Sequence, residues 1–150
     1  MSHACVAKLV VQHSASIHTV SYDLSRCFSV PAAYVRDLIQ SRNARTAHFS
    51  ADLFADPAWD ILLELYASAI EQQRHSIGSL TAMAPAPPTT TLRWIATLER
   101  EGLLAREGDP LDARRIFIRL SAAGQLAMNN YFGDVRTIRG SQSTPWEQEV

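Results

Sequence analysis

Pro88-Thr89-Thr90-Thr91-Leu92-Arg93-Trp94-Ile95-Ala96-Thr97-Leu98-Glu99-Arg100-Glu101-Gly102 is the stretch on which the reading of this chain turns. It predicts a helix that begins at Pro87 or Pro88 and runs to Arg100. Proline suits a first helical turn, and Gly102 suits the position just past the end. Wound at about 100° per residue, Thr91, Trp94, Ile95 and Leu98 gather on one side as a core face. Thr89, Arg93, Ala96 and Arg100 line up on the opposite side. That outer stripe offers a hydroxyl, a guanidinium fork and a residue small enough for close approach. Thr89 and Thr90 stand at the amino end, where free N–H groups can hold a phosphate or a base edge. Arg93 carries the fork that matches a guanine edge, a contact worth about 1–3 kcal/mol of discrimination. Leu92 flanks the stripe and can meet a thymine methyl. Taken alone, the same pattern describes any amphipathic surface helix. Its flanks decide the matter.

Upstream, Asp56-Pro57 reads as a cap and first turn. Trp59, Leu62, Leu63, Tyr66, Ala69 and Ile70 then recur at helical steps to about Arg74. Ser76 caps a short helix through Ile77, Leu80 and Met83, and Ala84-Pro85-Ala86-Pro87-Pro88 breaks it. Downstream, Leu103–Glu107 is strand-like, and Gly108-Asp109-Pro110 is turn chemistry. Arg115–Leu120 alternates, with Ile116, Ile118 and Leu120 on one face. The two adjacent arginines near the hairpin tip, Arg114 and Arg115, can enter a narrow minor groove. Asp112 is placed to pair with Arg114 and hold the loop shape. Ser121 caps a last helix with Ala123, Leu126, Ala127 and Asn130 on one side, ending near Gly133. The sequence thus predicts a mainly α chain with a small β-hairpin wing: a winged helix-turn-helix with flanking N- and C-terminal helices. An irregular arm is expected over 1–30, a helix and linker over 31–50, the winged unit over 51–135 and a loose tail over 136–150. The front helix, from Pro31 to about Ala44, carries Val35, Leu38, Ile39 and Arg42 at helical spacing.

The chain has 150 residues, 47% of them hydrophobic and 19% charged, with a formal net charge of −1. That length suits one domain and a sizeable core without staples. No apolar run approaches the ~18–20 residues of a membrane span, and Met1–Val11 is too short and broken for a signal peptide. A cytoplasmic location is the expectation. Residues 1–50 hold five basic residues against two acids, and residues 51–75 one against five. Residues 88–120 hold six arginines against five acids. This balance excludes purely electrostatic, histone-like binding but leaves room for a local basic face. Thirteen of the fourteen basic residues are Arg. Enzyme chemistry has no support: there is no phosphate-cradling Gly loop and no nucleophile elbow. His13 and His18 miss the four-residue pairing of helical metal ligands, and Cys5 and Cys27 read as buried or idle thiols, with a redox switch as the alternative. No cofactor and no metal are expected.

Ser76–Leu120, followed by Leu120-Ser121-Ala122-Ala123-Gly124, resembles the winged-helix regulators of the MarR family. The likeness rests on Leu98-Glu99-Arg100-Glu101-Gly102-Leu103-Leu104 and on Asp109-Pro110-Leu111-Asp112-Ala113-Arg114 in the wing, and covers roughly residues 54–132. Two departures stand out: Pro85 where the family usually has Gly, and Leu111 and Ala113 in a wing that is usually more basic. The resemblance implies a homodimer on a pseudo-palindromic double-stranded DNA site, acting as a repressor that a small aromatic effector relieves. It places Pro88, Thr89, Thr90, Leu92 and Arg93 at the major groove, and Arg114 and Arg115 near the minor groove. Tyr34, Val35, Leu38 and Ile39 against Leu126, Tyr131 and Phe132 are candidates for the dimer contact. They read equally well as core within one chain. Trp59, Tyr66 and Phe49 are candidates for an effector pocket, and also for core. The competing reading is a winged-helix module that uses the same helix to bind another protein without DNA.

Overall fold

The computed structural model describes residues 28–141. Five helices and three short strands follow one another: α1 (Ala32–Ala44), α2 (Pro57–Ile70), β1 (His75–Ser76), α3 (Ile77–Met83), α4 (Pro88–Arg100), β2 (Leu104–Asp109), β3 (Asp112–Leu120) and α5 (Ala122–Ser141). Two single turns of tighter helix, Arg45–Ala47 and Ala51–Phe54, fill the link between α1 and α2.

Local chemistry explains where the helices begin. The Asp56 carboxylate accepts the Trp59 N–H at 3.3 Å, and Pro57, which has no N–H to satisfy, takes the first position of α2. Ser76 Oγ accepts from Ser79 N–H at 3.1 Å, and Ser121 Oγ from Gly124 N–H at 3.0 Å. The break between α3 and α4 falls in the proline run, with every peptide bond trans among the described residues. Pro85 therefore takes the place of a glycine without a left-handed backbone.

The sequence pattern underestimates α2. Ile61, Leu63, Leu65, Tyr66, Ala67 and Ser68 are all buried, covering nearly the whole circumference. This helix is the centre of the molecule, packing against α1, α4, α5 and β3. Phe132 of α5 stacks on Tyr66 at 5.0 Å and meets Tyr34 of α1 edge-on at 6.0 Å. Val35 and Phe132 are fully enclosed within the one chain.

Two expectations need correction. The wing is not a two-stranded hairpin alone: His75 and Ser76 pair antiparallel with Ile118 and Phe117, giving a three-stranded sheet in the order β1-β3-β2. Two residues are too few to show alternation in sequence. Residues 136–141 are helical, not part of a loose tail, because α5 runs past Gly133 to Ser141. Arg136 donates to the Ser29 carbonyl at 3.1 Å, and Arg139 lies over the Tyr34 ring at 5.1 Å, so distant residues hold this last turn and a half. Ala123, Leu126, Ala127 and Asn130 do share one side of α5, and it is the exposed one, while Gly124, Gln125, Met128 and Phe132 face inward.

Gly124 shows how closely α5 approaches the start of the wing. A Cβ there would lie 2.1 Å from the Leu103 carbonyl oxygen. Alanine normally favours a helix interior over glycine by about 1 kcal/mol. Here Gly124→Ala is expected to destabilise the chain by about 1–3 kcal/mol through overpacking, as read by chemical denaturation. A stabilised variant would show that the approach is looser.

Candidate nucleic-acid interface

The helix-turn-helix consists of α3 and α4, and α4 turns the expected face inward. Thr91, Ile95 and Leu98 are buried, and Trp94 packs half-buried beside them. Thr91 is held twice at the helix start: its hydroxyl donates to the Pro87 carbonyl at 3.3 Å and to the Ala86 carbonyl at 3.4 Å. Pro88, Thr89, Leu92, Arg93, Ala96 and Arg100 face solvent. Thr90 is half-buried and turns toward the Pro85–Pro87 bend, where it lines a cavity. The outer surface of α4 is thus hydroxyl, leucine and guanidinium.

An ion pair links the wing to that helix. Arg106 on β2 grips Glu99 on α4 with two hydrogen bonds, at 2.6 and 2.9 Å. The Glu99 carboxylate holds the Arg106 guanidinium charged even more firmly than usual. Glu107 receives Arg74 at 3.4 Å and Arg119 at 3.1 Å, bracing the sheet from the other side. At the tip, the Asp112 carboxylate accepts the Arg114 backbone N–H at 3.0 Å. Asp112 therefore shapes the loop through the backbone of Arg114, and not by the expected pairing with its side chain. Leu111 is 96% exposed at the outermost point.

Pairing separates the arginines into two groups. Arg36, Arg42, Arg74, Arg106, Arg115 and Arg119 each meet a carboxylate. Arg45 lies over Phe54 at 5.2 Å, and Arg136 and Arg139 are occupied on α5. Among the described residues, the Arg93, Arg100 and Arg114 guanidiniums have no internal partner. All three sit on the outer face of α4 or at the wing tip. Arg115, expected beside Arg114 as an equal, is drawn toward Asp109 at 3.9 Å and lies 6.0 Å from the centre of the Phe117 ring. Arg100 joins the set through its missing partner; its place on the outer stripe was its only sequence signal.

The residues expected to line an effector pocket are not brought together. Tyr66 is core, Trp59 packs on Tyr131 at 4.7 Å, and Phe49 lies exposed against Phe54. Two adjoining cavities of about 280 and 300 Å³ lie instead beneath the α3–α4 bend, sharing Asn43, Asp60 and Pro85. Of the dimer candidates, Val35 and Phe132 are core, whereas Leu126 and Tyr131 are exposed. Cys5, Cys27, His13 and His18 lie outside the described residues. Among those described, no group of three or more His, Cys, Asp or Glu side chains is placed to hold a metal ion, and no helix is long and apolar enough to cross a membrane.

The chain is similar in fold to solved structures. The chain superposes on the S. aureus MepR–DNA complex with a TM-score of 0.51 at 20% identity, over 73% of this chain and 88% of that one. A probable transcriptional regulator from Pseudomonas aeruginosa aligns more loosely, with a TM-score of 0.45 at 20% identity over 78% of this chain and 85% of that one. No protein-family model matches the sequence, and no curated protein matches it. The fold is a winged helix: mostly helical, with a small antiparallel three-stranded sheet after the helix-turn-helix.

Proposed function

We propose that this chain is a MarR-like transcriptional regulator that binds specific double-stranded DNA as a homodimer and represses transcription. One observation carries the reading. Among the described residues, the arginines that the fold leaves without internal partners are those that the winged-helix frame presents outward, Arg93 and Arg100 on α4 and Arg114 on the wing. An α-helix fits the major groove, and a projecting hairpin can reach the neighbouring backbone or minor groove. In this arrangement Pro88 and Thr89 approach the backbone at the start of α4, Thr90 stays turned toward the Pro85–Pro87 bend, Leu92 and Arg93 meet base edges, and Arg114 and Arg115 lie toward the minor groove. The MepR–DNA complex, built on the same fold, supports the assignment.

A single α4 offers few base contacts, so specific affinity calls for a second half-site and a second protomer. Tyr131 and Ile138, both exposed and seven residues apart on one face of α5, supply an apolar surface for it. The paired cavities beneath the α3–α4 bend give a small aromatic effector room next to the reading helix. Arg42 borders the 280 Å³ cavity with an Nη2 that makes no hydrogen bond and reaches Asp56 only at 3.8 Å.

Selection of bound duplexes from random DNA tests the reading. The expected product is an inverted repeat whose half-site centres lie about one helical turn apart, or a multiple of it. Recovery of no enriched sequence would refute specific recognition. Within the wing, Arg114→Ala is expected to weaken binding more than Arg115→Ala, because Arg115 already has Asp109 beside it. Equal losses in an electrophoretic binding assay would show that the Asp109 contact gives way on DNA.

A further inference from the structure

A separate cavity, of about 200 Å³, lies between α2, the wing strand β3 and the start of α5. It shares no lining residue with the two beneath the α3–α4 bend. Its walls are hydrocarbon: Leu65 and Ala69 of α2, Ile118 and Leu120 of β3, and Phe28. Leu65, Ile118 and Leu120 are all buried members of the core.

Into this lining α5 brings one amide. Gln125 is 7% exposed, and its Nε2 makes no hydrogen bond. Two other polar side chains of the lining are committed elsewhere. Ser68 donates to Glu64 at 3.3 Å and lies 2.7 Å from His75 Nε2. Arg119, exposed at the rim, meets Glu107 at 3.1 Å and donates to the Leu120 carbonyl at 3.2 Å. A buried donor without an acceptor is unfavourable, and a leucine at this position would avoid it. An ordered water is a poor remedy. Buried waters ordinarily make about three hydrogen bonds, and this lining is mostly apolar.

An organic molecule with an apolar body and one acceptor answers both features together. An apolar cavity of about 150 Å³ is enough to admit a benzene ring. The volume here therefore suits a ring with a short substituent. A carboxylate fits poorly, because it would exchange its water for one neutral donor beside a guanidinium that is already paired. We infer that this cavity is a binding site for a small, neutral, mainly apolar cyclic molecule whose carbonyl oxygen accepts the Gln125 Nε2 hydrogen bond. Its occupant touches α2, β3 and α5 at once. The site does not depend on whether the chain binds DNA.

The test uses acetophenone and α-methylstyrene, two molecules of one shape in which a carbonyl oxygen is exchanged for a methylene. Each is titrated into the isotope-labelled full chain and followed by nuclear magnetic resonance. Acetophenone is expected to shift the Gln125 side-chain amide and the Ile118 methyl resonances. The affinity ratio of acetophenone to α-methylstyrene is expected to fall about fivefold or more in Gln125→Met, which keeps the length of the side chain and removes its donor. No shift at Gln125 with either molecule would overturn the inference. So would shifts confined to Asn43 and Thr90, which would seat the probe beneath the α3–α4 bend. An unchanged affinity ratio in the variant would overturn it as well. If Gln125→Met does not fold, the natural chain decides. A downfield shift of the Gln125 amide protons with acetophenone and not with α-methylstyrene supports the site, and equal shifts with both overturn it.

Discussion

Phe132→Ala is expected to lower the stability of the chain by about 3–5 kcal/mol, the range for truncating an enclosed aromatic ring. Phe132 is completely buried. Its ring stacks on Tyr66 with an interplanar angle of 22° and meets Tyr34 and Tyr131 edge-on. It therefore fastens α5 to both α1 and α2. Tyr66 cannot readily move to fill the gap, because its hydroxyl donates to the Asn129 side chain at 2.6 Å and accepts the Ser29 N–H at 3.2 Å. Burial raises the Tyr66 pKa, in keeping with a phenol that stays protonated and donating. The hole left behind would persist, and such holes are what make truncations costly. Urea denaturation of the two chains measures the difference. A loss below about 1 kcal/mol would mean that the site collapses freely and that α5 is not anchored there.

Arg93→Ala is expected to flatten the preference among DNA sequences at one base pair in each half-site by about 1–3 kcal/mol. Non-specific affinity should fall much less. The argument is geometric. Arg93 stands at the middle of the outer α4 face with Leu92 beside it, and Ala96 one turn on leaves room for the groove. No carboxylate among the described residues has to release it. Comparing the natural and variant chains on the selected site and on its single-base substitutions reads the effect. A uniform loss on every sequence would make Arg93 a phosphate contact, not a reader of bases.

Much of this frame is legible in sequence because it follows from local chemistry. The Asp56-Pro57 start of α2, the Ser76 cap of α3, the proline break and the inward row Thr91, Ile95 and Leu98 are each written within a few residues. The outward position of Thr89 and Arg93 follows from the same periodicity. What depends on distant partners is not legible. The strand His75–Ser76 exists only because Ile118 and Phe117 lie beside it. The last turns of α5 depend on Ser29 and Tyr34, about a hundred residues away in the chain. The distinction between Arg114 and Arg115 likewise depends on where Asp109 falls in the folded wing. Two adjacent arginines look alike in sequence, and only the hairpin geometry gives one of them a carboxylate.

The most direct measurement is the salt dependence of duplex binding for the natural chain and for Arg100→Ala/Arg114→Ala. Each phosphate neutralised contributes about 0.9 to the slope of log affinity against log salt. Both guanidiniums lack partners among the described residues, so the natural chain should lose affinity steeply with salt. The double variant should have a slope shallower by about 2 per protomer. Binding that ignores salt, or equal slopes for the two chains, would contradict the claim that these outward arginines grip DNA.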